Sequence, residues 1–197
     1  MNKTTRHDTC EHLLLTAEQL CLQRGFNGMG LSELLGVAGV PKGSFYHYYR
    51  SKEAFGVAML EHYFAHYLQS IRAFLEEDMA NPRQRIITYY QRAHDSFGEN
   101  NCADACLSAK LSAEVCDLSE SMRVALDKGS RAIIAVLSVT LHRAVKEQQV
   151  PLFSSPENCA EMLYILWLGA SLQAKIRRDN TPLKQAITVI QQMLPDV

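Results

Sequence analysis

The feature that most constrains this chain is the stretch from Leu31 to Lys52, which predicts two short helices joined by a tight turn. Apolar residues recur at helical spacing from Leu31 to Ala38, and Gly39 is a typical helix stop. Pro41 follows at a position where proline is accepted, in the first turn of a second helix. Two helices joined this closely form a helix-turn-helix, although the pattern alone also fits a plain solvated helix pair.

The second helix of the pair, roughly Pro41 to Tyr49, carries residues suited to an anionic partner. From Pro41 onward, the first acidic residue is Glu53. Lysine and hydroxyl side chains bond phosphate oxygens, glycine lets the backbone approach closely, and side chains near the start of such a helix reach base edges in a DNA major groove. The residues concerned are Lys42, Gly43, Ser44, Tyr46, His47 and Tyr48, followed by Arg50 and Lys52. An anionic partner is therefore predicted for this segment, with a solvated amphipathic helix pair as the alternative.

Two sequence motifs, one before the helix pair and one that overlaps it, carry a family resemblance. Gly25-Phe26 closes a first predicted helix, and the run AGVPKGSFYHYYRSKEAF extends from Ala38 to Phe55. Together they resemble the DNA-binding signature of the tetracycline-repressor (TetR) family of bacterial regulators. The resemblance implies an all-α protein with an N-terminal three-helix helix-turn-helix domain, residues 1–50, and a C-terminal helical body for effector sensing and dimerisation, residues 51–197. It also implies double-stranded operator DNA as a partner.

The same resemblance assigns roles to individual residues. Recognition falls to Lys42, Gly43, Ser44, Tyr46 and His47, and anchoring of the phosphate backbone to Tyr48 and Lys52. One position departs from the family. Where the family usually has a Thr-Thr or Thr-Ser pair at the start of the first helix of the pair, this chain has Met29-Gly30 and lacks that hydroxyl. Glycine can still serve as a weak N-cap.

The charge balance neither suggests nor excludes DNA binding. The net charge is −1, and residues 1–55 carry six Lys/Arg against five Asp/Glu. A helix-turn-helix needs a small basic face, which a symmetric dimer doubles. No run approaches the roughly 18 apolar residues of a membrane span, and the start MNKTTRHDTCEH lacks the apolar core of a signal peptide. A cytoplasmic protein with no membrane partner is expected.

Helix start signals divide the rest of the chain into further helices, and no strand pattern occurs. A first helix is predicted over residues 4–24, as a brace for the helix pair. Candidate caps and first-turn prolines lie at Ser51, Asn81-Pro82, Ser119, Ser155-Pro156 and Thr181-Pro182. They open predicted helices that end near residues 78, 97, 146, 178 and the C-terminus, with a further helix over 104–116.

The last two long helices are the predicted dimer interface. The resemblance implies a four-helix bundle formed with the same helices of a second copy. The wide apolar stripe that fits this bundle is Met162, Ile165, Leu166, Gly169 and Leu172. The alternative is burial of this stripe within one subunit. A homodimer is favoured because a helix-turn-helix that reads a palindrome needs two-fold symmetry.

Six cysteines in a chain expected to be cytoplasmic are predicted to be reduced thiols rather than a disulfide framework. No CxxC or Cys/His zinc spacing occurs, since Cys102 and Cys106 are four apart, so neither a metal site nor a cofactor is expected. CLSAKLSAEVCDLSESMR, from Cys106 to Arg123, and LWLGASLQAKI, from Leu166 to Ile176, resemble the electrophile- and hypochlorite-sensing repressors of the TetR family. This implies Cys106 as the sensing thiol, Lys175 as its basic partner and Cys116 as a second candidate.

The chemistry of thiols fits that assignment. A thiol reacts as thiolate, and a helix N-terminus and a nearby ammonium both favour the anion. Modification of Cys106 adds bulk or polarity, and an amine such as that of Lys175 can condense with a sulfenic acid. Release of operator DNA is then the expected response. The alternative for any one buried cysteine is an inert small hydrophobe.

A rival effector hypothesis is a small apolar ligand bound reversibly within the helical body. Its candidate lining is aromatic: Tyr63, Tyr67, Tyr89, Tyr90, Phe97, Tyr164 and Trp167. Aromatic residues at helical spacing more often belong to a plain core. An enzyme is not expected, because neither His94 nor His142 stands at a spacing typical of a Cys-His enzyme and no HExxH or phosphate-binding glycine loop is present.

Overall fold

A computed structural model describes residues 3–76, 81–99 and 107–196, apart from the side chains of 3–7 and 97–99. Every regular element within these ranges is an α-helix, which confirms the predicted all-α class. The helices are α1 (Lys3–Gly28), α2 (Leu31–Ala38), α3 (Lys42–Tyr48), α4 (Lys52–Leu75), α5 (Pro82–Glu99), α6 (Leu107–Val115), α7 (Glu120–Gln148), α8 (Pro156–Arg177) and α9 (Thr181–Met193). Over the same ranges, no helix has the length and apolar character needed to cross a membrane.

The chain divides into two compact units. The first combines Met1–Ala65 with Lys110–Gly129, and the second combines His66–Ala109 with Ser130–Val197. The first unit therefore contains the helix-turn-helix together with most of α6 and the start of α7. The sequence did not suggest that association. The predicted domain boundary after residue 50 stays a prediction.

The first unit has a hydrophobic core made by one face of each of its helices. Leu13 and Ala17 of α1, Leu34 of α2, Phe45 of α3 and Met59 of α4 are each fully buried. Met29, at the position where the family usually has a threonine, is 1% exposed and lies 4.0 Å, sulfur to sulfur, from Cys21. The side chain that replaces the polar residue is therefore core filling, and Gly30 caps α2 without a side-chain bond.

The end of α1 contains a break at Gly25. The predicted helix ends at residue 24, whereas α1 continues to Gly28 with non-helical geometry at Gly25, where φ is 78°. A positive φ is accessible to glycine at little cost and is strained for other residues. The chain resumes a helical turn at Phe26, and the Met29 amide donates to the Gly25 carbonyl at 3.2 Å.

In the second unit, α8 packs against α9, and α5 also packs against α9. Three alanines allow α8 and α9 to approach closely: Ala170 and Ala174 of α8 pack against Ala186 and the larger Leu183 of α9. Leu166 and Trp167 pack against this cluster. Leu166, predicted as part of the dimer stripe, therefore has partners within its own subunit.

Four of the predicted helix caps are confirmed by side-chain to backbone bonds. The side chains of Ser51, Asn81, Ser119 and Ser155 accept from the amide three residues further on, at 3.0, 2.9, 3.2 and 3.3 Å. The fifth was one residue late. Thr181 is the first residue of α9, and Asn180 is its cap without a side-chain hydrogen bond. The Thr181 amide donates instead to Asp179 Oδ1 at 2.7 Å. Helix α5 also continues through Gly98, which was predicted to end it.

Candidate nucleic-acid interface and regulatory site

The turn between α2 and α3 is built by Gly39 and Pro41. Gly39 has φ of 65°, a left-handed conformation, and the Val40 amide donates to the Leu35 carbonyl at 3.0 Å. Pro41, with φ of −62° and ψ of 144°, then caps α3, and its carbonyl accepts from the Ser44 amide at 2.9 Å. The two helices are thus joined by two residues of fixed geometry, as the sequence predicted.

Phe45 fixes the orientation of α3. It is the one residue of α3 that is fully buried, with its ring centroid 5.2 Å from that of Phe55 and 5.5 Å from that of Tyr49. A seven-residue helix held through one aromatic anchor turns its remaining faces outward. Lys42, Gly43, Tyr46 and His47 are exposed, while Ser44 and Tyr48 are half-buried.

Gly43 lies on this exposed face, and the described fold does not require glycine at this position. Its φ lies outside the left-handed region, and a Cβ placed on it would meet no atom within 4 Å. Neither backbone strain nor packing within the described residues therefore requires glycine here. A partner that approaches the α3 backbone closely would require it.

Lys52 has a partner within the protein. Its ammonium donates to the Phe26 carbonyl at 2.8 Å and lies 4.8 Å from the centre of the Phe26 ring. Lys52 therefore ties the start of α4 to the end of α1. The phosphate contact assigned to it by resemblance stays a prediction, as does that of Tyr48, whose ring packs at 5.5 Å against His47.

The predicted sensing thiol, Cys106, lies outside the described residues, one position before the first residue of α6. Cys116 is half-buried just beyond the end of α6, with Arg123 as a charged neighbour. Lys175 is half-buried near the end of α8. The pairing of Lys175 with Cys106 thus stays a prediction.

Two other thiols have environments that suppress reactivity. Burial, and then the Glu114 carboxylate, raise the pKa of Cys21 from 9.0 to about 12. Burial also raises the pKa of Cys159, whose sulfur lies 3.6 Å from the Ser154 carbonyl. Because the thiolate is the reactive form, neither is suited to sensing at neutral pH.

An aromatic cluster occupies the second unit. The Tyr90 ring, 1% exposed, lies 4.9 Å from Tyr89 and 5.0 Å from Trp167, centroid to centroid. The hydroxyls of Tyr67 and Tyr89 are hydrogen-bonded, and burial raises the pKa of Tyr90 well above its usual range. The hydroxyl of Tyr164 pairs with Ser130 at 2.9 Å.

Two members of the proposed aromatic lining are placed differently. Tyr63 lies in the first unit, with its ring 5.3 Å from Phe64, and the Phe97 side chain lies outside the described part of the chain.

Contacts that sequence reasoning missed connect α6 and the start of α7 to the helix-turn-helix unit. Glu114 accepts from the amides of Phe26 and Asn27 at 3.0 and 2.5 Å, and the Lys110 ammonium donates to the Leu22 carbonyl at 2.5 Å. The hydroxyls of Ser119 and Ser121 donate to Glu53 of α4 at 2.5 and 2.8 Å, which lowers the pKa of that carboxyl. The sequence offered one signal, the i, i+4 spacing that places Lys110 and Glu114 on the same face of a helix. That spacing does not predict which backbone groups they bind.

Family profiles match both parts of the chain. The profile described as "Bacterial regulatory proteins, tetR family" matches residues 13–59, and "Tetracyclin repressor-like, C-terminal domain" matches residues 82–190. The chain belongs to the tetR family of bacterial regulatory proteins, and its relatives are regulators rather than enzymes.

Individual relatives extend along nearly the whole chain. The HTH-type transcriptional repressor NemR of Escherichia coli (strain K12) is 55% identical over 194 residues, covering 98% of each protein. The crystal structure of the reduced form of E. coli NemR superposes with a TM-score of 0.92 at 52% identity, covering 97% of this chain and 99% of that one. The transcriptional regulator AcuR of Cereibacter sphaeroides is 32% identical, covering 82% of this chain and 74% of its own. The predicted resemblance is thereby confirmed.

Proposed function

We propose that this protein is a homodimeric transcriptional repressor that holds operator DNA through α3 and releases it when Cys106 is alkylated or oxidised. The observation that carries the proposal is the 55% identity, over 98% of both chains, to a repressor whose structure is known in a reduced form. Cys106, Cys116 and Lys175 are the residues assigned to sensing.

The exposed face of α3 supports the DNA-binding role. Lys42 supplies a cation for phosphate, Tyr46, 52% exposed, and His47 supply groups for base edges, and Gly43 leaves room for close approach. Tyr48 and Lys52 complete the predicted backbone contacts from the end of α3 and the start of α4.

The outer face of α8 supports the dimer. Met162, Ile165, Leu172 and Ile176 are 48%, 59%, 43% and 64% exposed, although all are apolar. With Gly169, where a Cβ would meet nothing within 4 Å, they recur at alternating steps of three and four residues. That is the a/d spacing of a helical seam, and a second copy of α8 and α9 is the partner that buries it.

Alkylation of Cys106 by an α,β-unsaturated carbonyl such as N-ethylmaleimide requires no leaving group. The thiolate sulfur bonds to one alkene carbon, the carbon–carbon π bond breaks, and the other alkene carbon takes up a proton in place of the one that the thiol lost. The product places a bulky imide one residue before α6. Because packed helices shift between discrete arrangements, this bulk displaces α6 rather than being absorbed locally.

Oxidation by hypochlorous acid removes two electrons from the same sulfur. The thiol becomes a sulfenic acid, and the chlorine leaves as chloride with a proton. The neutral amine of Lys175 then condenses with the sulfenic acid, forming a sulfur–nitrogen bond and releasing water. Reduction by thiols reverses this product, whereas alkylation persists.

A second candidate effector is a small apolar ligand, and the cluster around Tyr90 favours it. Tyr67, Tyr89, Tyr164 and Trp167 combine aromatic surfaces with hydroxyls within the second unit. Such a ligand would act reversibly, with the cysteines inert.

The test is a DNA-binding assay on the region upstream of the protein's own gene. Wild type, Cys106→Ser and Cys159→Ser are titrated with N-ethylmaleimide and hypochlorite. Release of wild type and of the buried-thiol control Cys159→Ser, with retention by Cys106→Ser, is the expected result. Equal release of all three would move sensing to another site, and washable release by an apolar ligand in a cysteine-free variant would favour the second candidate.

A further inference from the structure

Glu114 closes the broken end of α1 from a different helix. The first amides of a helical turn have no acceptor within the helix, and the turn that restarts at Phe26 has this need. Gly25, at the cap position, has no side chain to provide the acceptor. The Glu114 carboxylate accepts instead from both Phe26 and Asn27, at 3.0 and 2.5 Å. A carboxylate is also the favoured charge at a helix N-terminus.

Gly25 and Glu114 fit each other closely. A Cβ at Gly25 would lie 2.5 Å from Glu114 Oε2, so the absence of a side chain leaves the room that the carboxylate fills. Both backbone polar groups of Phe26 are then held, since its amide donates to Glu114 and its carbonyl accepts from Lys52 at 2.8 Å. Phe26 and Asn27 lie five and four residues before the first residue of α2.

Lys110 makes a second attachment from the same face of α6. It precedes Glu114 by one helical turn, and its ammonium donates to the Leu22 carbonyl at 2.5 Å. The nine-residue helix α6 thus begins one residue after Cys106 and is bonded at its fourth and eighth residues to the end of α1.

We propose that Glu114 is the coupling residue that transmits modification of Cys106 to the helix-turn-helix. This rests on the proposed function. A displacement of α6 withdraws the carboxylate from Phe26 and Asn27, the turn before α2 loses its acceptor, and α2 and α3 lose the orientation that fits the operator. Lys110 assists by holding α6 against the end of α1 through its bond to the Leu22 carbonyl.

The first measurement is the ratio of operator Kd after and before N-ethylmaleimide treatment in wild type, Glu114→Gln and Asp117→Asn. Glutamine keeps the shape and one acceptor oxygen, so one of the two amide bonds is lost. Asp117 is an exposed acid three residues further on, and its replacement controls for removing a negative charge from a DNA-binding protein. The Kd ratio of Glu114→Gln should be at least tenfold smaller than that of wild type, because the variant already binds operator weakly before alkylation. The Kd ratio of Asp117→Asn should equal that of wild type.

The second measurement needs no variant. Hydrogen exchange of the Phe26 and Asn27 amides in wild type should become at least tenfold faster after alkylation, because their acceptor has moved. Unchanged exchange, or a wild-type ratio in a folded Glu114→Gln, would overturn the coupling role while leaving the repressor intact. A wild-type protein that keeps its operator after alkylation would instead refute the proposed function, and this inference with it.

Discussion

Replacing Gly43 with alanine should separate operator binding from folding. The added methyl meets nothing within 4 Å and Gly43 has no positive φ, so the helix gains about 0.5–1 kcal/mol from the better propensity of alanine. For a chain of this length, that gain raises the Tm by roughly 1–4 °C. The same methyl projects from the exposed face of α3 and holds the backbone away from DNA. We expect operator affinity to fall at least tenfold, about 1.4 kcal/mol.

Gly36→Ala is the matched control for this change. Gly36 is an exposed glycine within α2, and a Cβ there also meets nothing within 4 Å. It should give the same stabilisation and leave affinity unchanged. Fluorescence anisotropy on labelled operator and thermal unfolding measure the two quantities. If Gly43→Ala binds as tightly as Gly36→Ala, or unfolds at a lower temperature than wild type, the role assigned to α3 is wrong.

Three further predictions test stability and assembly. Ser155→Ala removes the bond to the Asn158 amide at the start of α8 and should cost about 1 kcal/mol in urea unfolding; an unchanged midpoint contradicts the cap. Ile165→Asp should give monomers by sedimentation, whereas Val139→Asp, at an apolar α7 residue 54% exposed, should not; a dimeric Ile165→Asp moves the interface elsewhere. The Cys21 pKa of about 12 when folded, against 9.0, means that the unfolded thiol ionises first. The contribution of Cys21 to the free energy of unfolding should be complete below pH 9 and decline towards pH 12. The free energy of unfolding should therefore fall less over this range in Cys21→Ala than in wild type.

Local chemistry accounts for what the sequence predicted well. The caps Ser51, Asn81, Ser119 and Ser155 bond amides three residues away, so both partners lie in one short stretch of sequence. The turn at Gly39 and Pro41 is equally local. Amphipathic spacing is local in the same way, and the buried Phe55, Met59 and Leu60 of α4 follow it.

Distant pairings account for what the sequence did not predict. Glu114 and Phe26 are 88 residues apart, as are Lys110 and Leu22. Each pair consists of one ordinary charged side chain and a backbone group, and a backbone group leaves no signature in the sequence. Lys52 was assigned to phosphate by the family resemblance, and its bond to the Phe26 carbonyl could not be predicted for the same reason.

The glycines at positions 25, 39 and 43 differ in what the fold requires of them. Gly25 and Gly39 have φ of 78° and 65°, so the fold itself requires them. Gly43 has neither a positive φ nor a close neighbour. Substitution at Gly25 or Gly39 should therefore lower stability and operator binding together, because an incorrectly folded turn misplaces α3. Substitution at Gly43 should lower binding alone, which makes it the residue at which DNA contact can be tested without disturbing the protein that makes it.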